Sequence, residues 1–351
     1  MIRYSFQPGP SQLAEPVPEL IQEALKKGIL SRYHRDSFWR ETYAQAQEAL
    51  YRYLKTPPGW LALFTSSATE TWQILADATA GKNTLHITQG PFGERWHTLQ
   101  SYTTPHSHRY ELSLTETWEA QLRFLQTKYG KADLIGIVHV ETSIGATLPA
   151  IEQLRAYFPE AIIAVDATSS LGGLLLPWED LDIVFASVQK CLGLPAGMAI
   201  LLLSPRSIEI FKVFKRSRYN TLSYLIDQAS KHEPPYTPNL LNIFLLAKLL
   251  ERTTPLTEIE LHLKRRASIL YQELEGAGYV PLVPPPYRAD TVLGFRWQDP
   301  RVGTLLRAKA EQEGLYIGWG YGENRQTHFR IANFPTLPDE AYTMVMQILK
   351  A

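Results

Sequence analysis

The chain has 351 residues, of which 35 are Lys or Arg and 35 are Asp or Glu, so its formal net charge is zero. A neutral chain has no overall basic field to attract nucleic acid or anionic membranes, and we expect neither as a partner. Its single cysteine excludes an internal disulfide and a cysteine-rich zinc site, which favours a reducing compartment. Because no run is long and apolar enough to be a membrane span or a signal core, we expect a cytoplasmic globular protein.

Short apolar runs alternate with longer stretches of helical periodicity in the N-terminal part of the chain. The apolar runs are typical of strands buried on both faces and cover residues 61–64, 84–87, 134–140, 161–165, 183–186 and 198–203. Helical periodicity is found between them, at residues 69–79, 115–129 and 151–157. This alternation predicts an α/β fold with an open, mostly parallel sheet, in which functional residues lie where strands end and helices begin.

The pattern changes after residue 203 and predicts a second, smaller α+β domain. We expect a loop over residues 220–238 and a long helical stretch that begins at residue 240 and, after a break near residue 253, continues to about residue 276. Further helices are predicted at 207–215, 303–313 and 339–349, and strands at 291–297 and 327–331. The predicted boundaries are a large domain over residues 12–250 and a small domain over 251–351, on which residues 1–11 pack.

The strongest local signal is a lysine that follows a predicted buried strand. Lys190 comes after the apolar run 183–186 and before a turn that contains Gly193, Pro195 and Gly197. Most lysines are solvated surface residues, but apolar residues flank this one on both sides and would lower the pKa of its amine by desolvation. A desolvated amine is what an imine-forming nucleophile requires.

Asp166 ends the predicted strand 161–165 and precedes Lys190 by 24 residues. A carboxylate at the carboxyl end of a buried strand faces the edge at which α/β sheets bind ligands. Beside a ring nitrogen, such a carboxylate would hold a pyridinium proton in place and make the ring an electron sink. The alternative is a structural role, in which Asp166 caps the following turn through Thr168 or Ser169.

A helix start that carries small hydroxyl residues is the third signal. The sequence Thr-Ser-Ser at residues 65–67 follows the run 61–64, and a helix is predicted to begin directly after it. Successive main-chain N–H groups at a helix start bind anions, and hydroxyl groups add donors. The alternative is an ordinary capping box, with Ser67 as the N-cap and Glu70 at the third helical position.

A phosphate-binding helix start, a strand-end aspartate and a lysine, in this order, resemble the pyridoxal phosphate enzymes of the aspartate-aminotransferase fold, fold type I. Over nearly its whole length the chain resembles the class V aminotransferases and, among them, the phosphoserine aminotransferases. The most specific match is Gln-Lys-x-x-Gly followed by Pro-Ala-Gly at residues 189–197, which resembles the motif of the imine-forming lysine. The resemblance implies pyridoxal 5′-phosphate as the cofactor, with Lys190 and Asp166 as catalytic residues that bind it.

The resemblance also implies further contacts to the cofactor phosphate. Ser67, Ala68 and Thr69 match or adjoin the phosphate-loop positions of the family, and Gln189 is expected near the same group. Thr237, in the sequence Pro-Tyr-Thr-Pro, matches the loop that reaches the phosphate of a neighbouring subunit. These matches imply a homodimer whose site is shared across the interface.

Two more cofactor contacts are implied at the ring. Phe92 lies in a segment that resembles the one whose aromatic residue stacks on the cofactor face, where the family often has the larger Trp. Thr142 matches a strand-end position that hydrogen-bonds to the ring.

No metal site is expected, because His106 and His108 are a pair without further ligands.

Substrate-binding residues are implied at both ends of the chain. The sequence Ser-Arg-Tyr-His-Arg at residues 31–35 resembles an element that recognises an acidic group, which makes His34 and Arg35 candidates. Arg330 matches the arginine that holds the substrate α-carboxylate bidentately, a geometry that lysine cannot supply. Residues 6–11 resemble an N-terminal substrate segment.

One departure from the family concerns the substrate. The family presents a His-Arg pair upstream of the carboxylate-binding arginine, whereas residues 322–328 of this chain read Gly-Glu-Asn-Arg-Gln-Thr-His. Arg325 could take over the role of the pair, although Glu323 would repel a phosphate. The run from Asp166 to Gly173 also resembles the alanine–glyoxylate branch of the class.

The resemblance therefore implies an aminotransferase that acts between glutamate and a small keto acid. The first choice of keto acid is 3-phosphohydroxypyruvate, which gives phosphoserine for serine biosynthesis, and the alternative is an alanine- or serine–glyoxylate or pyruvate type. A cysteine desulfurase is disfavoured because Cys191, the only thiol, adjoins Lys190 rather than lying on a mobile loop. A non-catalytic binding protein on the same scaffold is disfavoured because Lys190, Asp166 and Gln189 are all present.

Overall fold

A seven-stranded, mostly parallel sheet forms the larger part of the computed structural model, which describes residues 1–213 and 218–350. In spatial order its strands are β2 (Leu61–Thr65), β10 (Ala199–Leu203), β9 (Ile183–Ser187), β8 (Ile162–Asp166), β5 (Leu134–Val138), β3 (Thr84–Thr88) and β4 (Ser107–Glu111). Among the described strands of this sheet, β10 alone runs in the opposite direction to the other six. The carboxyl ends of β3, β5, β8 and β9 therefore meet at one edge.

A second, five-stranded sheet gathers residues from both ends of the chain. Its strands, in spatial order, are β1 (Tyr4–Phe6), β13 (Leu315–Trp319), β14 (His328–Ala332), β12 (Val292–Arg296) and β11 (Val280–Pro281). The pairing of β1 with β13 is parallel, and the other pairs are antiparallel. A short hairpin of β6 (Val140–Glu141) and β7 (Ala146–Thr147) follows β5.

Helices cover both faces of the larger sheet. On one face lie α1 (Val17–Lys26), α2 (Ser37–Leu54), α5 (Trp118–Tyr129), α6 (Gln153–Tyr157) and α9 (Leu240–Leu250). On the other lie α3 (Ala68–Ala78), α4 (Pro91–Ser101), α7 (Pro205–Phe211) and α8 (Leu222–Ala229). The smaller sheet packs with α10 (Leu256–Gly276), α11 (Pro300–Gln312) and α12 (Asp339–Leu349).

This double coverage explains why the strands of the larger sheet are apolar at consecutive positions. Along β8, Ile163 and Val165 belong to the core on one face, and Ile162 and Ala164 belong to the core on the other. Side chains alternate between the two faces of a strand, so a strand covered on both faces needs apolar residues throughout. Asp166, the last residue of β8, is the polar exception.

The predicted α/β class and the mostly parallel sheet are confirmed, but the predicted loop over residues 220–238 is wrong in part. That segment contains α8, whose Leu222, Leu225, Ile226 and Ala229 are buried at helical spacing. With only eight residues, α8 has a short apolar period, and the proline cluster that follows it is typical of a loop. The helix predicted at 207–215 is observed as α7, and residues 214 and 215 lie outside the described residues.

The described part of the chain contains no helix long and apolar enough to cross a membrane. Among the same residues there is no group of three or more His, Cys, Asp or Glu side chains that could hold a metal ion.

A buried arginine joins α10 to the ends of the smaller sheet. Arg266 donates hydrogen bonds to Asn333 Oδ1 at 2.6 Å and to the main-chain oxygens of Phe334 and Leu337, both at 3.0 Å. Its guanidinium group also pairs with Asp339 at 2.9 Å and lies 4.0 Å from the ring centre of Tyr342. One side chain thus satisfies several buried acceptors that would otherwise carry a desolvation penalty.

We expect Arg266→Met to lower the free energy of unfolding by about 3 kcal/mol, because it removes the donor to the main-chain oxygen of Leu337 and to the buried Asn333 Oδ1. Urea unfolding followed by circular dichroism measures the change. Arg265→Met is the matched control, since Arg265 is an exposed neighbour on the same helix. A loss no larger than that of the control, about 0.5 kcal/mol, would contradict the structural role of Arg266.

Candidate active site

The carboxyl edge of the larger sheet borders a cavity of about 260 Å³ that contains Lys190. Lys190 follows β9, is 7% exposed, and donates from Nζ to Thr142 Oγ1 and to Ser169 Oγ, both at 2.8 Å. The two hydroxyl oxygens lie 2.6 Å apart, so they form a closed hydrogen-bonded triangle with the amine. Phe92 lies on another side, with its ring centre 5.6 Å from Nζ.

Burial lowers the pKa of Lys190 to about 8, because an ammonium ion loses its hydration among these residues. The negative charge of Asp166 acts in the opposite direction and limits the decrease. The side chain therefore supplies a neutral amine at a pH far below that of a solvated lysine, as the sequence predicted.

Asp166 lies at the floor of the same cavity, at the end of β8. Its Oδ2 accepts a hydrogen bond from Trp72 Nε1 at 2.9 Å, and its Oδ1 accepts one from the main-chain N–H of Thr168, also at 2.9 Å. The second contact is the turn cap that the sequence offered as an alternative. Burial raises the pKa of Asp166, whereas these hydrogen bonds and the charge of Lys190 lower it.

The start of α3 borders the cavity as well. Ser67 is its N-cap and accepts from the main-chain N–H of Glu70 at 3.1 Å, so the hydroxyl is used within the helix. The N–H of Ala68 donates to Ser187 Oγ at 2.9 Å. Thr69 lines the cavity, and neither its main-chain N–H nor its hydroxyl has a hydrogen-bond partner among the described residues. This helix start combines free donors with the positive end of the helix dipole.

Glu141 connects two walls of the site, although the sequence gave no sign of it. Its side chain is fully buried, and Oε2 accepts from the N–H groups of Phe92 and Gly93, at 3.1 and 3.4 Å. Oε1 accepts from the N–H and the hydroxyl of Ser143, at 3.1 and 2.6 Å. Burial raises the pKa of Glu141. Because both oxygens are engaged, Glu141 fixes the start of α4 against the segment that carries Thr142.

Arg330 enters the cavity from the smaller sheet. Its Nε donates to the main-chain oxygen of Trp319 at 2.7 Å, and Nη1 donates to that of Thr142 at 2.9 Å. Burial lowers the pKa of Arg330 to about 10, and within residues 1–213 and 218–350 no carboxylate forms an ion pair with it. A buried guanidinium group held only by neutral carbonyls is a strong site for a small carboxylate.

The N-terminal segment closes the cavity through Pro8, Gly9 and Pro10. At Gly9, φ is +149°, and a Cβ atom there would lie 2.9 Å from Lys190 Cε, so only glycine permits this approach. The main-chain N–H of Ser11 donates to the oxygen of Gln189 at 3.0 Å and fixes the segment in place.

Eight of the predicted site residues share this cavity. They are Ala68, Thr69, Phe92, Thr142, Asp166, Gln189, Lys190 and Arg330. The cavity is also lined by residues that were not predicted to belong to the site, namely Trp72, Thr168, Ser169, Ser187 and Tyr321. The hydroxyl-rich run after Asp166 was the one sequence signal that could have identified Thr168 and Ser169.

The five remaining predicted residues do not line the cavity of the single chain, and the first of them, Ser67, caps α3 instead. Thr237 and Arg325 are exposed, and the Arg325 guanidinium lies 5.3 Å from the ring centre of Trp319. His34 and Arg35 are half-buried in the loop before α2, and burial lowers the pKa of His34. The expected role of Thr237 is in the site of a neighbouring subunit, so its position outside this cavity leaves that prediction open.

The cavity of this α/β fold combines a buried lysine, a strand-end carboxylate and a helix start with free donors. The class V aminotransferase family profile matches residues 3–308. The chain belongs to the class V aminotransferases, and the predicted pyridoxal-phosphate-dependent transaminase is confirmed.

Several relatives are similar over nearly the whole chain. A phosphoserine aminotransferase of Rhodococcus jostii is 26% identical, over 95% of this chain and 91% of its own. The solved phosphoserine aminotransferase of Cytophaga hutchinsonii is 28% identical, with a TM-score of 0.90 over 99% of this chain and 98% of its own. An alanine–glyoxylate aminotransferase from Nostoc, 21% identical with a TM-score of 0.81 over 100% of this chain and 95% of its own, shares the fold.

The family implies pyridoxal phosphate, and the residues of the cavity fit that group. The helix start with the free donors of Thr69 suits a phosphate, the Asp166 carboxylate suits a protonated ring nitrogen, and the Lys190 amine suits an aldehyde. Cys191 does not add a nucleophile, because it is buried, its thiol is 3.5 Å from the main-chain oxygen of Ser169, and burial raises its pKa.

We expect Lys190 in the cofactor-free protein to form an imine with a small aldehyde along a pH profile whose midpoint is near 8, since burial favours the neutral amine. Borohydride trapping followed by peptide mass spectrometry gives the yield at residue 190 at each pH. Asp166→Asn should move the midpoint to lower pH, because it removes the charge that supports the ammonium form. A wild-type midpoint at about pH 10, the ordinary lysine range, would contradict this reading.

Proposed function

We propose that this enzyme transfers an amino group between glutamate and 3-phosphohydroxypyruvate, and so forms phosphoserine and 2-oxoglutarate in serine biosynthesis. The observation that carries the proposal is the buried Arg330 guanidinium, which no carboxylate of the described residues neutralises, at the same cavity as Lys190. Both substrates carry a carboxylate beside the reacting carbon, which this group could hold. The phosphoserine aminotransferases at 26% and 28% identity support the choice of acceptor.

In this proposal the cofactor is held by the walls of the cavity. Thr69 would bind its phosphate through the free donors at the start of α3, beside Ala68 and together with Gln189 and with Thr237 of a neighbouring subunit, while Ser67 caps the helix. Phe92 stacks on one face of the ring, at a position fixed by the buried Glu141. When bound, pyridoxal phosphate supplies an electron sink for the substrate carbanion.

The chain's own residues hold and move protons around that sink. Lys190 would hold the cofactor through its amine, and the same amine, once an amino donor has taken its place, would accept the α-proton of the substrate. Asp166 keeps the ring nitrogen protonated. Thr142 and Ser169, which accept hydrogen bonds from Lys190, would hold the amine in the cavity.

The substrate is recognised at its two acidic ends. Arg330 holds the α-carboxylate, and His34, Arg35 and Arg325 provide positive charge for the phosphate of phosphohydroxypyruvate. Because Thr237 and Arg325 are exposed on the single chain, this assignment requires a homodimer in which they complete a partner's site. We keep the domain division at residues 250 and 251, and the cytoplasmic location, as predictions.

A second candidate is an alanine- or serine–glyoxylate or pyruvate aminotransferase. Two features favour it: the family's His-Arg pair is absent, and Glu323 lies on the same exposed turn as Arg325. A keto acid without a phosphate needs only the carboxylate site at Arg330. The two candidates therefore differ in whether His34, Arg35 and Arg325 contribute to substrate binding.

Reduction of the purified enzyme with borohydride is expected to fix one pyridoxal phosphate per chain on Lys190, as mass spectrometry of the 189–197 peptide would detect. Lys190→Ala should still bind the cofactor but lose turnover, because no other amine in the cavity can remove the α-proton. Lys128→Ala, which removes an exposed lysine of α5, is the control. Full turnover by Lys190→Ala would refute the proposed mechanism.

Half-reactions of the loaded enzyme with single amino acids separate the two candidates. We expect glutamate and phosphoserine to convert the bound cofactor fast, and alanine and serine at least tenfold more slowly, with absorbance recorded by stopped flow. Arg325→Ala should weaken the binding of phosphoserine and leave the binding of glutamate nearly unchanged. If phosphoserine caused no change in cofactor absorbance while alanine converted the cofactor fast, the second candidate would replace the first.

A further inference from the structure

The carboxylate of Asp166 receives a neutral donor from a tryptophan. Trp72 Nε1 donates to Oδ2 at 2.9 Å, and the main-chain N–H of Thr168 donates to Oδ1. Lys190 acts on Asp166 electrostatically, but its Nζ hydrogen-bonds to hydroxyl groups instead. The side chain of Thr168 also hydrogen-bonds to this carboxylate and lowers its pKa. Among the described residues, the only side-chain N–H donor to it comes from α3 rather than from a neighbouring strand.

The orientation of the Trp72 indole is fixed by the core behind it. Trp72 is 3% exposed and is stacked on Trp96, with an interplanar angle of 9° and ring centres 6.4 Å apart. Trp96 in turn meets Phe185 of β9 edge to face at 5.2 Å. With its ring stacked in this way, the indole presents its N–H toward Asp166 at the end of β8.

Burial of an indole does not explain this contact by itself. Trp39 and Trp96 are both buried, and the Nε1 of each lacks a hydrogen-bond partner within the described chain. Trp178, a third buried indole, donates to the main-chain oxygen of Leu54 at 2.9 Å, far from the cavity. Trp72 differs from all three because its acceptor is an ionisable group that lines the cavity.

We propose that Trp72 is a positioning residue, whose indole N–H, together with Thr168, stabilises the ionised Asp166 carboxylate and keeps it turned toward the ring nitrogen of the cofactor. The inference rests on the proposed function, since it requires pyridoxal phosphate in the cavity. A hydrogen bond to an ionised acceptor is roughly twice as strong as one between neutral groups, and it favours the charged form of a buried acid. With Oδ2 engaged on one side, the remaining lone pairs of the carboxylate stay available to the ring.

The test compares Trp72→Phe with the matched control Trp178→Phe. Each variant removes one buried indole N–H that donates at 2.9 Å and keeps an aromatic ring in place. The wild type and both variants are loaded with pyridoxal 5′-phosphate labelled with ¹⁵N in the ring. The ¹⁵N chemical shift reports whether the ring nitrogen is protonated, and titration of the cofactor-free proteins gives the dissociation constant.

We expect the wild type and Trp178→Phe to give the pyridinium shift. For Trp72→Phe we expect a shift displaced toward neutral pyridine and a dissociation constant raised roughly tenfold, the scale of one hydrogen bond to a charged group. Trp72→His, which keeps a ring N–H donor, should recover part of the pyridinium shift. A purely structural role would lower the stability of both Phe variants alike and leave the shift unchanged.

Two results are decisive in the other direction. If the wild type binds the cofactor and transaminates, but Trp72→Phe keeps the wild-type shift and affinity, the inference about Trp72 is wrong and the proposed function stands. If the wild type does not bind pyridoxal phosphate, the proposed function itself fails. Should Trp72→Phe not fold, benzothienylalanine at position 72, which has sulfur in place of the N–H, provides the same comparison.

Discussion

The Lys190 amine is buried among hydroxyl groups, and no carboxylate of residues 1–213 and 218–350 forms an ion pair with it; the arrangement of the site depends on that condition. A contacting carboxylate would hold the lysine as an ammonium ion and remove its nucleophilicity. The fold places acids close by but not against the amine. Both carboxylate oxygens of Glu141 accept hydrogen bonds, from the start of α4 and from Ser143. The carboxylate of Asp166 accepts hydrogen bonds from Trp72 and Thr168. The lysine is left with Thr142 and Ser169.

The sequence predicted those parts of the site that follow from strand ends. Asp166 and Lys190 could be identified because each comes directly after a continuous apolar run, and in a parallel sheet such positions meet at one edge. The prediction for Arg330 relied on the family resemblance, supported by the apolar residues on either side of it. For these residues, the local sequence pattern is enough to predict the position in the folded chain.

Residues that reach the site across the fold could not be predicted in this way. Trp72 and Glu141 lie in a helix and a short hairpin, and they act through contacts to Asp166, 94 residues away, and to Phe92, 49 residues away. Such contacts have no fixed spacing, because they depend on how a helix packs on the sheet. The hydroxyl of Ser67 shows the converse: its pattern suited an anion site, and the structure uses it as an ordinary N-cap.

The smaller sheet carries a mechanical consequence that follows from its strand order. β1, β13 and β14 are hydrogen-bonded neighbours, and they lead directly to or carry Gly9, Tyr321 and Arg330, which all line the cavity. A rotation of this sheet against the larger one would move the three residues together. It would also change the length of the hydrogen bond from Arg330 Nη1 to the main-chain oxygen of Thr142. In such a rotation the guanidinium group of Arg330 and the main chain at Gly9 would therefore move together relative to Lys190.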